Sequence, residues 1–233
     1  MKEDEIMWKG YIVDSEYGSV APHKITEYIE NYKKIGIEVI AKHLTTDDEI
    51  VKDCYDADVL MCTGNPPITR KVAEGIPNLK VVQRFGIGVN SVDLEAAKDN
   101  GVLALNLAGF CIEELAIHAT ALILDLIRNV CYNDRGVRQG IWRKAGGILP
   151  PSPANMTLGL YGFGGSARIL GDIFRNGMGT KIITCDPYLA PEDLKGMDVE
   201  LVSFDELLER SDILSVNVPL NETTHHSLNY EAF

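Results

Sequence analysis

The sequence predicts an α/β protein built from two parallel, doubly wound sheets. Three observations carry this. Short apolar runs alternate with helix-patterned stretches along nearly the whole chain. Several of these runs end at glycine or proline turns, where a parallel strand hands over to its crossover. A Gly- and Pro-rich stretch, RQGIWRKAGGILPPSPANM at 138–156, reads as a surface connection, and the alternation begins again at Leu158.

In order, 11–13 reads as a strand and 24–34 as a helix. A second strand lies at 38–41, a short helix at 47–54, and a third strand at 58–63. That strand is closed by GNPPIT, whose two prolines forbid further ladder pairing. A fourth strand at 79–83 runs into RFGIGVNSVD, followed by a short helix at 94–99 and a strand at 103–105. The long helix 112–128 carries Glu113 and Glu114 in its first turn and Arg128 near its end, as the helix dipole favours. With Glu113, Glu114, His118 and Asp125 inside it, it reads as a core helix rather than a membrane span. His118 is expected to be packed or hydrogen-bonded there. In the second half, LGLY (158–161) is a strand and a helix runs on to about 176. Strands at 181–186, 200–202 and 213–218 follow, with a loop or helical turn at 187–194 and a helix at 204–209. The expected division is a first domain over 1–106 and a second over 107–233.

Composition narrows the function classes. With 22 Lys and Arg against 34 Asp and Glu, the net charge is −12, which argues against a nucleic-acid-binding stripe. A local anion site stays open, because a helix N-terminus or a single arginine can hold one. The five cysteines are odd in number and contain no CxxC pair. Zinc and a disulfide framework are not expected, and a reducing, cytoplasmic setting fits. The acidic start MKEDEIMWKGYIVD holds no apolar core of signal length.

The chemistry-bearing stretch is TLGLYGFGGSAR at 157–168. The spelling is weak alone, but a strand precedes it, a helix follows, and Asp186 ends the next strand. In a dinucleotide turn Gly162 permits the tight bend, Gly164 lets the backbone approach a pyrophosphate, and Ala167 allows close helix–strand packing. Asp186 would accept from the adenosine ribose hydroxyls and repel the extra phosphate of NADP. The competing reading is that the glycines only turn the chain and Asp186 only ends a strand before Pro187.

Taken together, PNLKVVQRFGIGVNSVDLEAAKDNGVLALNLAGFCIEELAIHATALIL (77–124), TLGLYGFGGSAR with DPYL, and SFDELLERSDILSVNVPLNETTHHSLN (203–229) resemble the D-isomer-specific 2-hydroxyacid dehydrogenase family. Within it the spelling is nearest the C-terminal-binding-protein and phosphoglycerate-dehydrogenase-like branches. The resemblance implies two Rossmann-like domains, flavodoxin-like and NAD-binding, the second incomplete at its C-terminus. It implies NAD as cofactor, a small 2-hydroxy or 2-keto acid as substrate, a homodimer, and no nucleic acid or membrane. The cofactor side would comprise Gly162, Phe163, Gly164, Gly165, Ser166, Ala167, Asp186, Val218, Pro219 and Thr224. The substrate side would comprise Gly64, Asn65, Gly86, Ile87 and Gly88, with a structural turn the competing role for Gly86 and Gly88. Asn90-Ser91 departs from the family's usual Asp-Asn, so the local polar network is expected to differ.

The family places its catalytic arginine, glutamate and histidine in segments that would follow Phe233. None of His23, His43, His118, His225 and His226 matches those roles, and no catalytic residue is assigned here. The expected function is that of an NAD-dependent oxidoreductase, inactive as this chain. The alternative is a non-catalytic NAD-binding regulatory or corepressor-like module.

Overall fold

The computed structural model describes residues 8–14, 22–142 and 151–233. Part of the Gly/Pro connection, 143–150, and the start of the chain, 1–7, lie outside the described residues. The chain divides into two compact units, Met1–Phe110 and Cys111–Phe233.

The first unit runs β1 (Trp8–Ile12), α1 (Pro22–Lys33), β2 (Ile37–Ala41), α2 (Asp47–Asp53), β3 (Val59–Cys62), α3 (Arg70–Gly75), β4 (Val81–Arg84), α4 (Leu94–Asp99) and β5 (Leu103–Leu105). Its strands form one parallel sheet in the order β2-β1-β3-β4-β5. β3 shows why VLMC is uniformly apolar: all four residues are buried, and the two faces are both covered. Leu60 and Cys62 join Ile50, Val72 and Ile76 on one side, while Val59 and Met61 join Ile12 and Val39 on the other. Helix starts are written locally. Thr46 and Glu49 form a reciprocal capping box on α2, and Asp93 accepts from Ala96 N–H at the start of α4. The order reverses between β1 and β3, and in open parallel sheets such a switch point leaves a crevice beyond the strand C-termini.

The second unit runs α5 (Ile112–Arg128), α6 (Val130–Arg138), β6 (Thr157–Tyr161), α7 (Gly165–Met178), β7 (Lys181–Cys185), β8 (Glu200–Leu201), α8 (Phe204–Arg210) and β9 (Ile213–Val216). The sheet order is β8-β7-β6-β9, all parallel. On one face Leu158, Leu160 and Ile182 pack with Ala167, Leu170 and Phe174 of α7 and with Ala116 and Ile123 of α5. On the other, Tyr161 and Ile183 pack with Leu207 and Phe204 of α8. Here the switch point falls between β6 and β9. Pro219 lies beyond the end of β9, consistent with a residue that cannot donate to a ladder.

Most elements lie where the sequence pattern places them, within a residue or two. Helices α3 and α6 are additional. α6 is nine residues long and polar on average, and it buries no residue. It leaves α5 through Asn129 in a left-handed conformation, with a bend of 62° between the two axes. His118 is exposed rather than packed, because α5 turns Ala116, Ile123 and Ile127 inward instead. Among the described residues no single helix is long and apolar enough to cross a membrane.

Candidate functional site

Each unit gathers residues singled out by sequence at the C-terminal ends of its central strands. In the second unit, the glycines of the turn are explained by three different causes. Gly162 has φ +86°, and a Cβ there would come within 2.9 Å of Val218 Cγ1 and 3.1 Å of the Asn217 carbonyl carbon. The fold itself demands this glycine. Gly165 is closely packed, since a Cβ would lie 3.0 Å from Ile112 Cδ1 and that side chain would have to give way by a few tenths of an ångström. Gly164 is different. Its φ is −72°, open to any residue, and a Cβ would meet nothing within 4 Å. Protein packing gives no reason for a glycine at 164, whereas a ligand pressed against the backbone would.

The turn opens onto a cavity of about 360 Å³. Gly162, Gly164, Asp186, Val218, Pro219 and Thr224 line it, as do Tyr161, Cys185, Tyr188, Phe204, Asn217 and Thr223. Phe163 and Ala167 instead point into the core, at 3% and 0% exposure, and Ser166 is half-buried in the first turn of α7. Strand ends fix the cavity's rim: Gly162 N–H donates to the Cys185 carbonyl at 2.8 Å and Asn217 N–H to the Tyr161 carbonyl at 2.7 Å.

Asp186 is pinned. Its Oδ2 accepts from Phe163 N–H at 2.9 Å and its Oδ1 from Tyr188 N–H at 3.0 Å. A carboxylate so held presents its remaining lone pairs in a fixed direction, which suits a diol and opposes a phosphate. Beside it, burial pushes the Cys185 thiol above its ordinary pKa, so this sulfur stays a neutral, apolar wall. On the far rim, Thr224 Oγ1 donates to the Pro219 carbonyl at 2.5 Å, and Asn221 Oδ1 accepts from the N–H groups of Thr223 and Thr224. These bonds close the 219–224 loop on itself.

Arg168 lies one turn into α7 but is tied back. Its Nε donates to the Phe163 carbonyl at 3.1 Å, and its guanidinium sits 4.7 Å from the Phe163 ring centroid. His225 and His226 are exposed and stacked on one another, with ring centroids 3.9 Å apart.

In the first unit, Gly64 and Asn65 follow β3, and Gly86, Ile87 and Gly88 follow β4. Arg84, which opens the RFGIGVNSVD stretch and was given no role from the sequence, brings the two loops together. Its guanidinium lies against Gly86 so closely that a side chain there would overlap it. A Cβ on Gly64 would sit 3.3 Å from Arg84 Nη2 and 3.8 Å from Ser91 Oγ. Arg84 Nε and Ser91 Oγ are both buried without a hydrogen-bond partner, and Arg84 makes no ion pair among the described residues. Buried donors of this kind are costly unless something accepts from them. Deeper in the crevice, Asp14 is 1% exposed, and its Oδ2 accepts from both the N–H and the hydroxyl of Thr63. Asn65, Ile87 and Gly88 are exposed on the rim.

Residues 120–233 match the NAD binding domain of D-isomer specific 2-hydroxyacid dehydrogenases. The chain is 33% identical over 201 residues to a hydroxypyruvate reductase of Thermotoga maritima, covering 85% of this chain and 63% of the relative. It is 34% identical over 188 residues to a glyoxylate reductase of Korarchaeum cryptofilum, covering 78% and 55% respectively. It therefore spans less than two thirds of the length of these relatives. Among solved structures, it superposes on the holo form of D-mandelate dehydrogenase from Rhodotorula graminis with a TM-score of 0.81 at 26% identity, covering 97% of this chain and 69% of that one. A D-lactate dehydrogenase from Aquifex aeolicus, complexed with NAD and lactic acid, shares the fold with a TM-score of 0.81 at 24% identity, over 96% and 64% of the two chains.

Proposed function

We propose that this chain, a member of the D-isomer-specific 2-hydroxyacid dehydrogenase family with NAD as its cofactor, serves hydride exchange between NAD(H) and a small 2-hydroxy or 2-keto acid. In this reading the second unit holds the dinucleotide. The N–H groups opening α7 face the pyrophosphate across Gly164, and the pinned Asp186 receives the ribose hydroxyls. NAD, when bound, supplies the hydride acceptor. Loops 64–65 and 86–88 of the first unit hold the acid's carboxylate, with the Arg84 guanidinium supplying the positive charge. The protein is proposed to work as a cytoplasmic homodimer. The exposed stripe of Leu115, Leu122 and Leu126 on α5 supports self-association.

The observation that carries the proposal is Gly164, a glycine with open space before it beside a cavity that Asp186 also lines. The test has two readouts on the 233-residue chain. NADH binding, followed by cofactor fluorescence, is expected to be saturable. Loss of absorbance at 340 nm with pyruvate, glyoxylate and hydroxypyruvate is expected to stay below detection. Hydride transfer needs an acid–base partner worth roughly 10²–10⁴ in rate, and among the described residues no carboxylate bonds to His225 or His226, which are exposed and stacked on one another. Failure to bind NADH removes the proposal. Saturable turnover would keep it and assign the proton to a group in this chain, His225 and His226 being the first to substitute.

A further inference from the structure

Gly165 is the first residue of α7 and the tip of the turn. A Cβ built on it would lie 3.0 Å from Ile112 Cδ1 and 3.2 Å from Ile112 Cγ2. Ile112 is the first residue of α5, and the boundary between the two compact units falls one residue earlier, after Phe110 and before Cys111. The chain leading into Ile112 is conformationally unusual. Gly109 has φ +80°, and Cys111 sits at φ 48° and ψ 30°, a left-handed conformation that a residue with a side chain adopts only at a cost. Cys111 is also the N-cap of α5 and makes no side-chain capping bond.

One glycine backbone therefore separates Ile112 from the face of the turn that Gly164 leaves open. The body of α5 is held elsewhere, through Ala116 and Ile123 buried with Ala167 and Leu170.

We propose that Ile112 is a positioning residue that couples occupancy of the dinucleotide turn to the order of the segment joining the two units. The proposal rests on the reading that this turn holds NAD(H). A pyrophosphate seated on the amides that open α7 fixes the Gly165 backbone. Ile112, packed behind that backbone, then loses its room to move, and the left-handed Cys111 and the first turn of α5 become ordered with it. Without a ligand, the loop tip and the start of α5 fluctuate together. Such coupling works through conformational entropy and needs no large displacement. It also gives Gly165 a role, since a Cβ there would press on the Ile112 side chain.

Hydrogen exchange with mass spectrometry, read on peptides spanning 107–116 of the 233-residue chain, tests this. NADH affinity is measured in parallel by fluorescence. Saturating NADH is expected to slow exchange in these peptides by about threefold or more in the starting protein. In Ile112→Ala, which still binds NADH, the slowing is expected to be largely lost, and in Ile112→Val it should be intermediate. A cofactor-free arm stands apart from the reading of the turn. Gly165→Ala alone should speed exchange over 107–116 by about threefold, and the added Ile112→Ala should reverse it. NADH binding with no protection at 107–116 would overturn the proposal, as would protection that survives Ile112→Ala. So would a Gly165→Ala effect that Ile112→Ala does not relieve. Absence of NADH binding in the starting protein would instead bring down the reading of the turn, and the coupling to occupancy with it.

Discussion

At the scale of single residues, two glycines of one turn should respond oppositely to the same change. Gly162→Ala places a Cβ against Val218 in a left-handed backbone, so the loss should appear in stability, at about 1–3 kcal/mol. Gly164→Ala meets no protein atom, so stability should stay within roughly 0.5 kcal/mol. Its NADH affinity should nonetheless fall about tenfold or more, because the methyl group enters the ligand's space. Urea unfolding and fluorescence titration separate the two effects. In the first unit, Arg84 carries the prediction. Removing its charge by Arg84→Gln should weaken binding of oxalate, an unreactive 2-keto acid mimic, by about tenfold or more, the loss typical of a charge-assisted pair. Arg84→Lys should restore only part of it, since the ammonium lacks the planar fork. Calorimetry at constant ionic strength is the check, and unchanged oxalate binding in Arg84→Gln would remove Arg84 from the carboxylate site.

At the scale of elements, the short β8 is tied to its neighbours by charge. Glu200 lies 2.7 Å from Arg210 at the end of α8 and 3.0 Å from Lys181 at the start of β7. The Arg210 hydrogen bond, and then that of Lys181, hold its carboxyl down from an ordinary 4.5 to about 2. A depressed carboxyl contributes stability that is complete above its unfolded pKa and is lost as pH falls toward its folded one. The window is therefore about pH 4.5 to 2. The Glu200 side chain is 45% exposed, so the contribution is under about 1 kcal/mol. Glu200→Gln should lower neutral stability by under about 1 kcal/mol and flatten the acid limb of the stability–pH curve, so that the two proteins converge as pH falls through that window. Salt should mute the difference.

Elements are also where the sequence was most and least readable. β3 announced itself because VLMC is apolar on both faces, and the helix expected at 204–209 is α8, whose start the structure shows fixed by a capping box of Ser203 and Glu206. α6 was silent because it buries nothing, and α3 because it is six residues long and follows a proline loop. The turn at 162–167 could be found from spacing, since strand, glycines and helix are contiguous. What separates Gly164 from Gly162 and Gly165 could not, because the distinguishing neighbours, Val218 and Ile112, lie more than 50 residues away in sequence. Arg84 was missed for a related reason. At the end of an apolar strand it reads as a boundary, and only the fold shows it spanning the Gly64 and Gly86 loops.

At the scale of the whole molecule, a chain of net charge −12 is proposed to bind anions in both of its units. The global field opposes this, so the local devices must decide: the amides opening α7 in one unit and a lone guanidinium in the other. The same field sharpens selection at Asp186, where a fixed carboxylate meets either a hydroxyl or a phosphate dianion. The cavity beside Gly164 and Asp186 is proposed to be an NAD site. The most direct measurement is the affinity of the 233-residue chain for NADH and for NADPH under one buffer and salt, repeated with Asp186→Ala. NADH should be favoured by about tenfold or more, on the order of 1.4 kcal/mol, with the preference collapsing in the variant as NADH weakens and NADPH does not. Equal affinity of the starting protein for the two cofactors, or a preference that survives Asp186→Ala, would contradict it.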